Sequence, residues 1–216
     1  MAYTAINKSS NFFNTILYTG NGNSGHAQTG VGFQPDLVWL KQRSGTEYHN
    51  LYDAVRGVTK RFVPNRNDLE NTISGLTAFG SDGFTVGAAD TANQNSTTFV
   101  AWNWKANGQG SSNTDGSINT TYTSANTTSG CSVVKYSANN TAGATVGHGL
   151  GVIPKMILVK ESTGSVNDWV VYHASVGNTK KLILNETNAE SIDNFMNDTT
   201  PTSTVFSISD ASVVNR

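Results

Sequence analysis

Short runs of apolar and β-branched residues, separated by segments rich in Gly, Asn, Ser and Thr, recur along the whole chain. Such runs are typical of β-strands joined by turns. Segment 50–57 fits either a strand with a turn or one short helix. The other runs predict strands at 12–19, 36–41, 60–65, 76–79, 84–86, 98–105, 132–137, 154–160, 168–173, 180–185 and 204–208. The pattern therefore predicts an all-β protein.

Two of these runs contain three of the four tryptophans. Residues 36–41 are apolar at successive positions, which predicts a strand covered on both faces with Trp39 in the core. In 98–105 the alternation places Trp102 and Trp104 on one face of the strand. That arrangement also fits a core, although Trp104 stands at the strand end and fits an exposed position equally well.

The run 32–41 occurs a second time at 151–160. Both copies consist of a turn, a proline, an apolar strand and a lysine, and Pro35 lies 119 residues before Pro154. The same spacing continues outside this run. Tyr18 corresponds to Tyr136, Gly57 to Gly177 and Asn65 to Asn185, each with almost the same separation. Tandem copies of one domain with small loop insertions produce such a drift.

We therefore predict two related β-sandwich domains of jelly-roll or lectin-like type. The first repeat is expected at 1–110 and carries an N-terminal arm, and the second is expected at 111–216. At the spacing of the first copy, the counterpart of strand 98–105 would fall beyond Arg216. Either the natural chain is longer, or another subunit supplies the strand, or an edge is exposed; long exposed edges invite aggregation, which favours the first two.

Composition narrows the classes of partner. Charged residues make up 13% of the chain, about half of the ~25% of ordinary soluble domains, and the net charge is −1. A chain without a basic field is not expected to bind nucleic acid. No apolar run approaches the ~20 residues that span a bilayer, and Met1–Thr4 does not begin a signal peptide. We expect a soluble, non-exported protein with no membrane insertion.

Sequence motifs give little indication of chemistry. Cys131 is the only cysteine, which excludes an internal disulfide and a cysteine-based zinc site. The loop 20–25 matches GxGxxG, but no helical pattern follows it, so it predicts a turn and not a nucleotide site. The four histidines show no metal-binding spacing, and His148, flanked by glycines, is interpreted as the cap of a turn. The carboxylates lie mainly in loops, and no catalytic residue, cofactor or metal is predicted.

Exposed aromatic residues are the remaining candidates for a binding site. Aromatic side chains on a β-sandwich can stack on sugar rings, as they do in lectin-like modules. On this basis Trp104 and Tyr48 are candidate glycan contacts.

Several motifs in fixed order resemble a known family. They are Phe33–Lys41 paired with Phe99–Lys105, the segment Gly147–Ile157, the connection Ser124–Gly130 and the run Trp169–His173. Together they resemble the uncharacterised tandem β-domain of structural proteins of marine tailed phages, especially the tail-fibre-like proteins of cyanophages. The resemblance implies a virion component assembled in the host cytoplasm, and it implies no catalytic residues.

The leading hypothesis is a non-enzymatic phage virion structural protein, a tail fibre or spike subunit involved in host attachment. Its expected partners are further copies of itself, as a homotrimer, other virion proteins, and a host surface glycan. The alternatives are a capsid decoration protein and a lectin-like carbohydrate-binding module. A depolymerase is a more distant alternative.

Overall fold

A computed structural model of the chain describes residues 6–216, so the predicted N-terminal arm falls partly outside the described residues. Strands dominate the described chain, and the predicted all-β class is confirmed. The chain divides into two compact units. Unit 1 runs up to Val63 and again over Glu70–Gln109, and unit 2 comprises Pro64–Leu69 and Gly110–Arg216. One boundary lies between Gln109 and Gly110, and the segment Pro64–Leu69, which the sequence analysis places in the first repeat, falls in unit 2.

Unit 1 contains two antiparallel sheets with strand orders β1-β9-β3-β4 and β2-β8-β7, and a small pair β5-β6. A short 3₁₀ turn, Ser9–Asn11, precedes the first strand. The elements are β1 Phe13–Thr19, β2 His26–Gln28, β3 Leu37–Gln42, β4 Asn50–Asp53, β5 Lys60–Arg61, β6 Asn71–Thr72, β7 Leu76–Gly80, β8 Gly83–Val86, α1 Asp90–Asn93 and β9 Thr98–Trp104.

Unit 2 follows a similar order of elements. Its sheets are β10-β11, β12-β17 and β13-β14-β15-β16. The elements are β10 Tyr122–Asn126, β11 Cys131–Lys135, β12 Ala144–Gly147, β13 Met156–Val159, β14 Val170–His173, β15 Lys180–Ile183, β16 Ser191–Ile192, β17 Val205–Ile208 and α2 Ser212–Asn215.

The core of unit 1 covers only one face of its four-stranded sheet. Val38 and Leu40 of β3 are fully buried and join a cluster to which the second sheet and α1 also contribute. Leu37 and Trp39, on the other face of β3, remain partly exposed. The prediction that this strand is covered on both faces, with Trp39 in the core, is therefore wrong. A run of apolar residues is also compatible with a sheet that has one partly exposed apolar face.

Two local predictions need correction, and one alternative that the sequence left open is decided. Only Lys60–Arg61 of the predicted strand 60–65 forms a strand, and it pairs with β6 in a segment expected to be a polar loop. Segment 50–57 is a strand followed by a turn and not a helix. The predicted strand 132–137 is observed as β11, but its hairpin partner β10 and the helices α1 and α2 were not predicted, because their sequences are polar and short.

Corresponding positions of the two units make the same contacts. The hydroxyl of Tyr18 donates to the carbonyl of Ala92 at 2.6 Å, and the hydroxyl of Tyr136 donates to the carbonyl of Val214 at 2.7 Å. In each case the acceptor precedes a buried asparagine, Asn93 or Asn215. Burial raises the pKa of both tyrosines, so both hydroxyls remain protonated donors.

The two asparagines also play the same role. Asn93 accepts from the backbone N–H of Asn21 at 3.0 Å, and Asn215 accepts from that of Asn139 at 2.8 Å. The side-chain amide of each one donates to a carbonyl two residues further along, that of Asn23 or that of Thr141. Each asparagine thereby ties its short helix to the loop after the first strand of the repeat.

No helix in the described part of the chain is long and apolar enough to cross a membrane.

Candidate functional site

The outward face of β9 and β3 gathers the tryptophans of unit 1. Because side chains alternate along a strand, Trp102 and Trp104 point away from the core, while Phe99, Ala101 and Asn103 are buried beneath them. The register places Trp102 directly opposite Trp39 of β3. Directly opposed residues have Cβ atoms ~5 Å apart, so these two indoles are neighbours.

These tryptophans line an open cleft of about 320 Å³ together with His49. Trp39, Trp102 and Trp104 are each half-buried. At one end, the ring of Phe13 from β1 lies 4.9 Å from the ring of Trp104, tilted by 54°. We call the surface formed by Trp39, His49, Trp102 and Trp104 the indole cleft. Its four side chains include no carboxylate.

His49 fixes the orientation of one indole. The Nε1–H of Trp39 donates to Nδ1 of His49 at 2.8 Å, and the two rings meet nearly edge to face at 5.8 Å. This bond requires an unprotonated Nδ1. Desolvation lowers the pKa of His49, and the nearby ammonium of Lys41 lowers it further, so the ring is neutral at pH 7. The neutral histidine thereby holds Trp39 in place.

Lys41 borders the cleft on the same face of β3. Its ammonium donates to the carbonyls of Gln42 at 2.7 Å and Gly45 at 3.3 Å. The cation is thus held by its own loop beside His49.

The geometry of the cleft suits aromatic stacking. Indole rings bury large apolar areas and bind flat apolar faces, such as the C–H face of a pyranose ring or another aromatic group. Hydrolysis of a glycosidic bond needs two carboxyl groups on either side of the scissile bond. The cleft supplies three indoles and an imidazole, and no carboxylate is among its lining residues.

Of the two residues predicted to contact a ligand, only Trp104 lies at the indole cleft. Tyr48 is 45% exposed in the loop before β4, yet it does not line the cleft, although the adjacent His49 does. Alternation explains this outcome, because neighbouring residues in an extended segment point to opposite sides.

Trp102, Trp39 and His49 were not predicted as site residues. The sequence signal for Trp102 was present, since it shares a strand face with Trp104. Trp39 was assigned to the core, and His49 lies in a loop without any motif. The pairing of β3 with β9 places Trp39 beside Trp102, and the pairing of β3 with β4 brings His49 next to them.

Two other buried titratable groups, His148 and Asp36, have structural partners. Nδ1 of His148 accepts from the backbone N–H of Leu150 at 3.2 Å, which confirms its interpretation as a turn cap. Buried Asp36 accepts from the backbone N–H of Ala106 at 2.8 Å and from the amide of Gln34 at 3.0 Å. Among residues 6–216, no group of three or more His, Cys, Asp or Glu side chains is arranged to hold a metal ion.

Comparison with known proteins identifies a family. The domain of unknown function DUF7483 matches residues 8–216, nearly the whole chain, and the protein belongs to that family. Neither the comparison with curated proteins nor that with solved structures finds a match.

Proposed function

We propose that this member of the DUF7483 family is a non-enzymatic structural protein of a phage virion, a tail fibre or spike subunit that takes part in host attachment. In this proposal the two units are related β-sandwich domains, and copies of the chain assemble as a homotrimer with other virion proteins in the host cytoplasm. The low fraction of charged residues and the strand-rich units support a role based on shape and assembly.

The observation that carries the attachment role is the indole cleft. Three half-buried tryptophans share one open face of a sheet, and one of them is oriented by a hydrogen bond to a neutral histidine. Holding Trp39 in place before a ligand arrives reduces the entropy lost on binding. A fixed aromatic surface of this kind suits a host surface glycan.

The cleft also favours a second candidate function, a lectin-like carbohydrate-binding module that need not belong to a virion. The same stacking chemistry serves both functions. They differ in location, and so does the third possibility, a capsid decoration protein. Antibody labelling of particles of a phage that encodes the protein separates them. Label on the tail supports the fibre or spike, label on the capsid supports decoration, and no label on either leaves only the binding module.

The binding role is tested with the full chain on a glycan array, followed by titration of the glycans that bind. We expect Trp104→Ala and Trp102→Ala to weaken binding about tenfold each, since an aromatic contact contributes about 1 kcal/mol beyond its buried area. The matched control is Tyr48→Ala, which removes an exposed aromatic residue outside the cleft and should leave the affinity unchanged.

Two results would contradict the proposal. An array without signal at millimolar glycan, with the variants folded, rules out glycan recognition by the cleft. Light scattering that finds only a monomer at high protein concentration argues against the assembled fibre.

A further inference from the structure

The sheet face that carries the indole cleft becomes basic along β3. Trp39 and Lys41 occupy alternate positions of this strand. The ladder continues to Arg43, whose backbone N–H donates to the carbonyl of Thr98 at 2.7 Å. Alternate side chains of an extended segment share one face, so the indole, the ammonium and the guanidinium follow one another on the outward side of the sheet.

No neighbouring carboxylate neutralises the charge of Lys41. Its ammonium donates to the carbonyls of Gln42 and Gly45, which are uncharged acceptors. Among residues 6–216, Lys41, the exposed Arg43 and Glu47 of the adjacent loop take part in no ion pair. A lysine ammonium has three hydrogens, so one donor of Lys41 remains for an added anion.

This charge acts on the cleft itself. The pKa of His49 is lowered first by desolvation and then by the ammonium of Lys41. His49 lines the cleft and holds the indole of Trp39 through its Nδ1. A negative charge that enters the cleft is therefore attracted by the same ammonium.

The corresponding lysine of unit 2 is in a different electrostatic environment. Lys160 lies 119 residues after Lys41 and likewise donates to the carbonyl of the next residue, here Glu161, at 3.1 Å. Burial lowers the pKa of Lys160, whereas the carboxylates of Glu161, Asp168 and Asp68 act against that shift. Unit 2 therefore surrounds its lysine with negative charge.

Unit 1 has neutral residues at the positions of two of these carboxylates. Gln42 corresponds to Glu161, and Tyr48 corresponds to Asp168. Unit 2 also has Leu158 where unit 1 has Trp39. The unpaired cation and the indoles thus occur together in unit 1, and both are replaced in unit 2.

We propose that the indole cleft recognises a uronic acid residue, whose pyranose ring stacks on the indoles while its carboxylate accepts a hydrogen bond from Lys41. This inference rests on the proposed recognition of a glycan by the cleft and specifies the class of sugar. A half-buried cation without an anionic partner favours a ligand that brings the missing negative charge.

The spacing on β3 favours a carboxylate over other anionic groups. Two positions along a strand separate the Cα atoms of Trp39 and Lys41 by about 6.7 Å. An equatorial carboxylate is bonded directly to the sugar ring and lies in its plane, so a stacked ring directs it along the protein surface. One hydrogen bond of about 2.8 Å then reaches an ammonium. A phosphate or sulfate ester places its charge several bonds further from the ring.

The test compares matched sugars on the intact chain by calorimetric titration. The probes are tetrasaccharides that end in glucuronate or galacturonate, and the same tetrasaccharides ending in glucose or galactose. We expect at least one uronate probe to bind about fivefold more tightly than its neutral counterpart at low salt. At about 1 M salt the Debye length is only about 3 Å, and this preference should largely disappear.

Substitutions of Lys41 locate the preference. Lys41→Met should reduce it to less than about twofold and leave the affinity for the neutral probe unchanged, which also shows that the cleft is intact. Lys41→Arg retains a cation and should retain the preference. Lys160→Met is the matched control, since it removes the corresponding lysine of unit 2 and should not alter the preference.

Analogues that end in glucose 6-sulfate or glucose 6-phosphate distinguish the anionic group. Weaker binding of both than of the uronate probe supports the carboxylate. Equal or tighter binding of either one overturns the assignment to a uronic acid.

The remaining outcomes separate this inference from the proposed function. Equal affinity for each uronate probe and its neutral counterpart, with binding lost in Trp104→Ala, overturns the inference while glycan recognition stands. A uronate preference that survives Lys41→Met overturns the role of Lys41. Absence of binding by all these probes overturns the inference, and the glycan array then decides whether the cleft recognises other sugars.

Discussion

Units 1 and 2 hold the same hydrogen bonds at corresponding positions, yet they use different interactions around them. The tyrosine and buried asparagine that tie each short helix to its loop are present in both. Unit 1 adds a central strand with two outward indoles and a buried ion pair. The comparison indicates that a few buried hydrogen bonds fix the backbone of each unit. The surface residues and the other buried interactions differ between the two units.

The ion pairs illustrate this variation. In unit 1, Arg56 contacts Asp53 at 2.5 Å and Glu70 at 3.3 Å, and its guanidinium lies 3.9 Å from the ring centre of Phe62. In unit 2, the place of Arg56 is taken by Val176. There Lys180 pairs with Glu190, at the positions of Lys60 and Glu70 in unit 1, which lie 4.0 Å apart, and this pair is far more exposed than that of Arg56 with Asp53.

The largest expected effect comes from breaking the buried pair. We expect Arg56→Met to lower the free energy of unfolding by about 3–5 kcal/mol, because it leaves Asp53 buried without its cation. The side chains of Arg56 and Asp53 are only 7% and 5% exposed. Urea unfolding followed by tryptophan fluorescence measures the change.

The matched change in unit 2 is Lys180→Met. Its pair is about two-fifths exposed on both sides, at 39% and 42%, so the loss should stay below about 1 kcal/mol. Equal losses for the two variants would show that burial does not distinguish the pairs.

The next effect concerns the shared asparagines. We expect Asn93→Ala to cost about 3 kcal/mol and Asn215→Ala about 2 kcal/mol, since each leaves buried backbone groups without a partner. The larger value for Asn93 follows from its additional contact with the carbonyl of Gly87 at 2.8 Å. Chemical denaturation gives both values. Exposed Asn95→Ala is the control and should be neutral; a neutral Asn215→Ala would mean that the two units are not held in the same way.

A smaller effect is expected at the indole cleft. Trp39→Phe removes the hydrogen bond to His49 and should cost about 1 kcal/mol.

The pKa of His49 is lowered in the folded protein, so the unfolded chain takes up a proton first as pH falls. The free energy of unfolding is therefore highest above the ordinary pKa of 6.5. It declines below that pH and levels off below the pKa of His49 in the folded protein.

Measurement of unfolding against pH checks this dependence. His49→Gln should remove the part of the slope that begins at pH 6.5, while an unchanged slope would assign it to another group. The counterpart of His49 in unit 2 is Trp169, a buried residue that does not titrate.

The smallest effect is expected at the loop before β3. The carboxylate of Asp82 accepts from the N–H groups of Gly30 at 3.0 Å and Gly32 at 2.6 Å, and these bonds lower its pKa. These two hydrogen bonds therefore stabilise the folded protein fully above the ordinary pKa of 3.8. Their contribution to the free energy of unfolding is lost as pH falls through the pKa of Asp82 in the folded protein. Asp82→Asn should weaken this dependence.

The amide NMR signals of Gly30 and Gly32 report on the same bonds. They should shift with the Asp82 titration in the unsubstituted chain and stop shifting in Asp82→Asn. Exposed Asp90→Asn is the control and should leave both titrations intact. Unit 2 has Thr204 at this position, so no matching titration is expected there.

Sequence patterns identified the strands that carry long apolar runs, such as β1, β3 and β9, because period-two alternation and turn residues are local signals. They also identified the correspondence of Pro35 with Pro154, whereas they left Trp104 open between a core and an exposed position. Short polar elements such as β10 and α1 were not predicted from the sequence, because their formation depends on partners distant in sequence.

Amino-acid order alone determined which residues share a strand face, because neighbouring side chains must point to opposite sides of the backbone. It did not determine which face is covered. Packing of a second sheet and α1 on the Val38 and Ala101 side decided that Trp39 and Trp102 would face outward. That decision needed the pairing of β3 with β9, which lie some sixty residues apart, and only the tertiary structure supplies it.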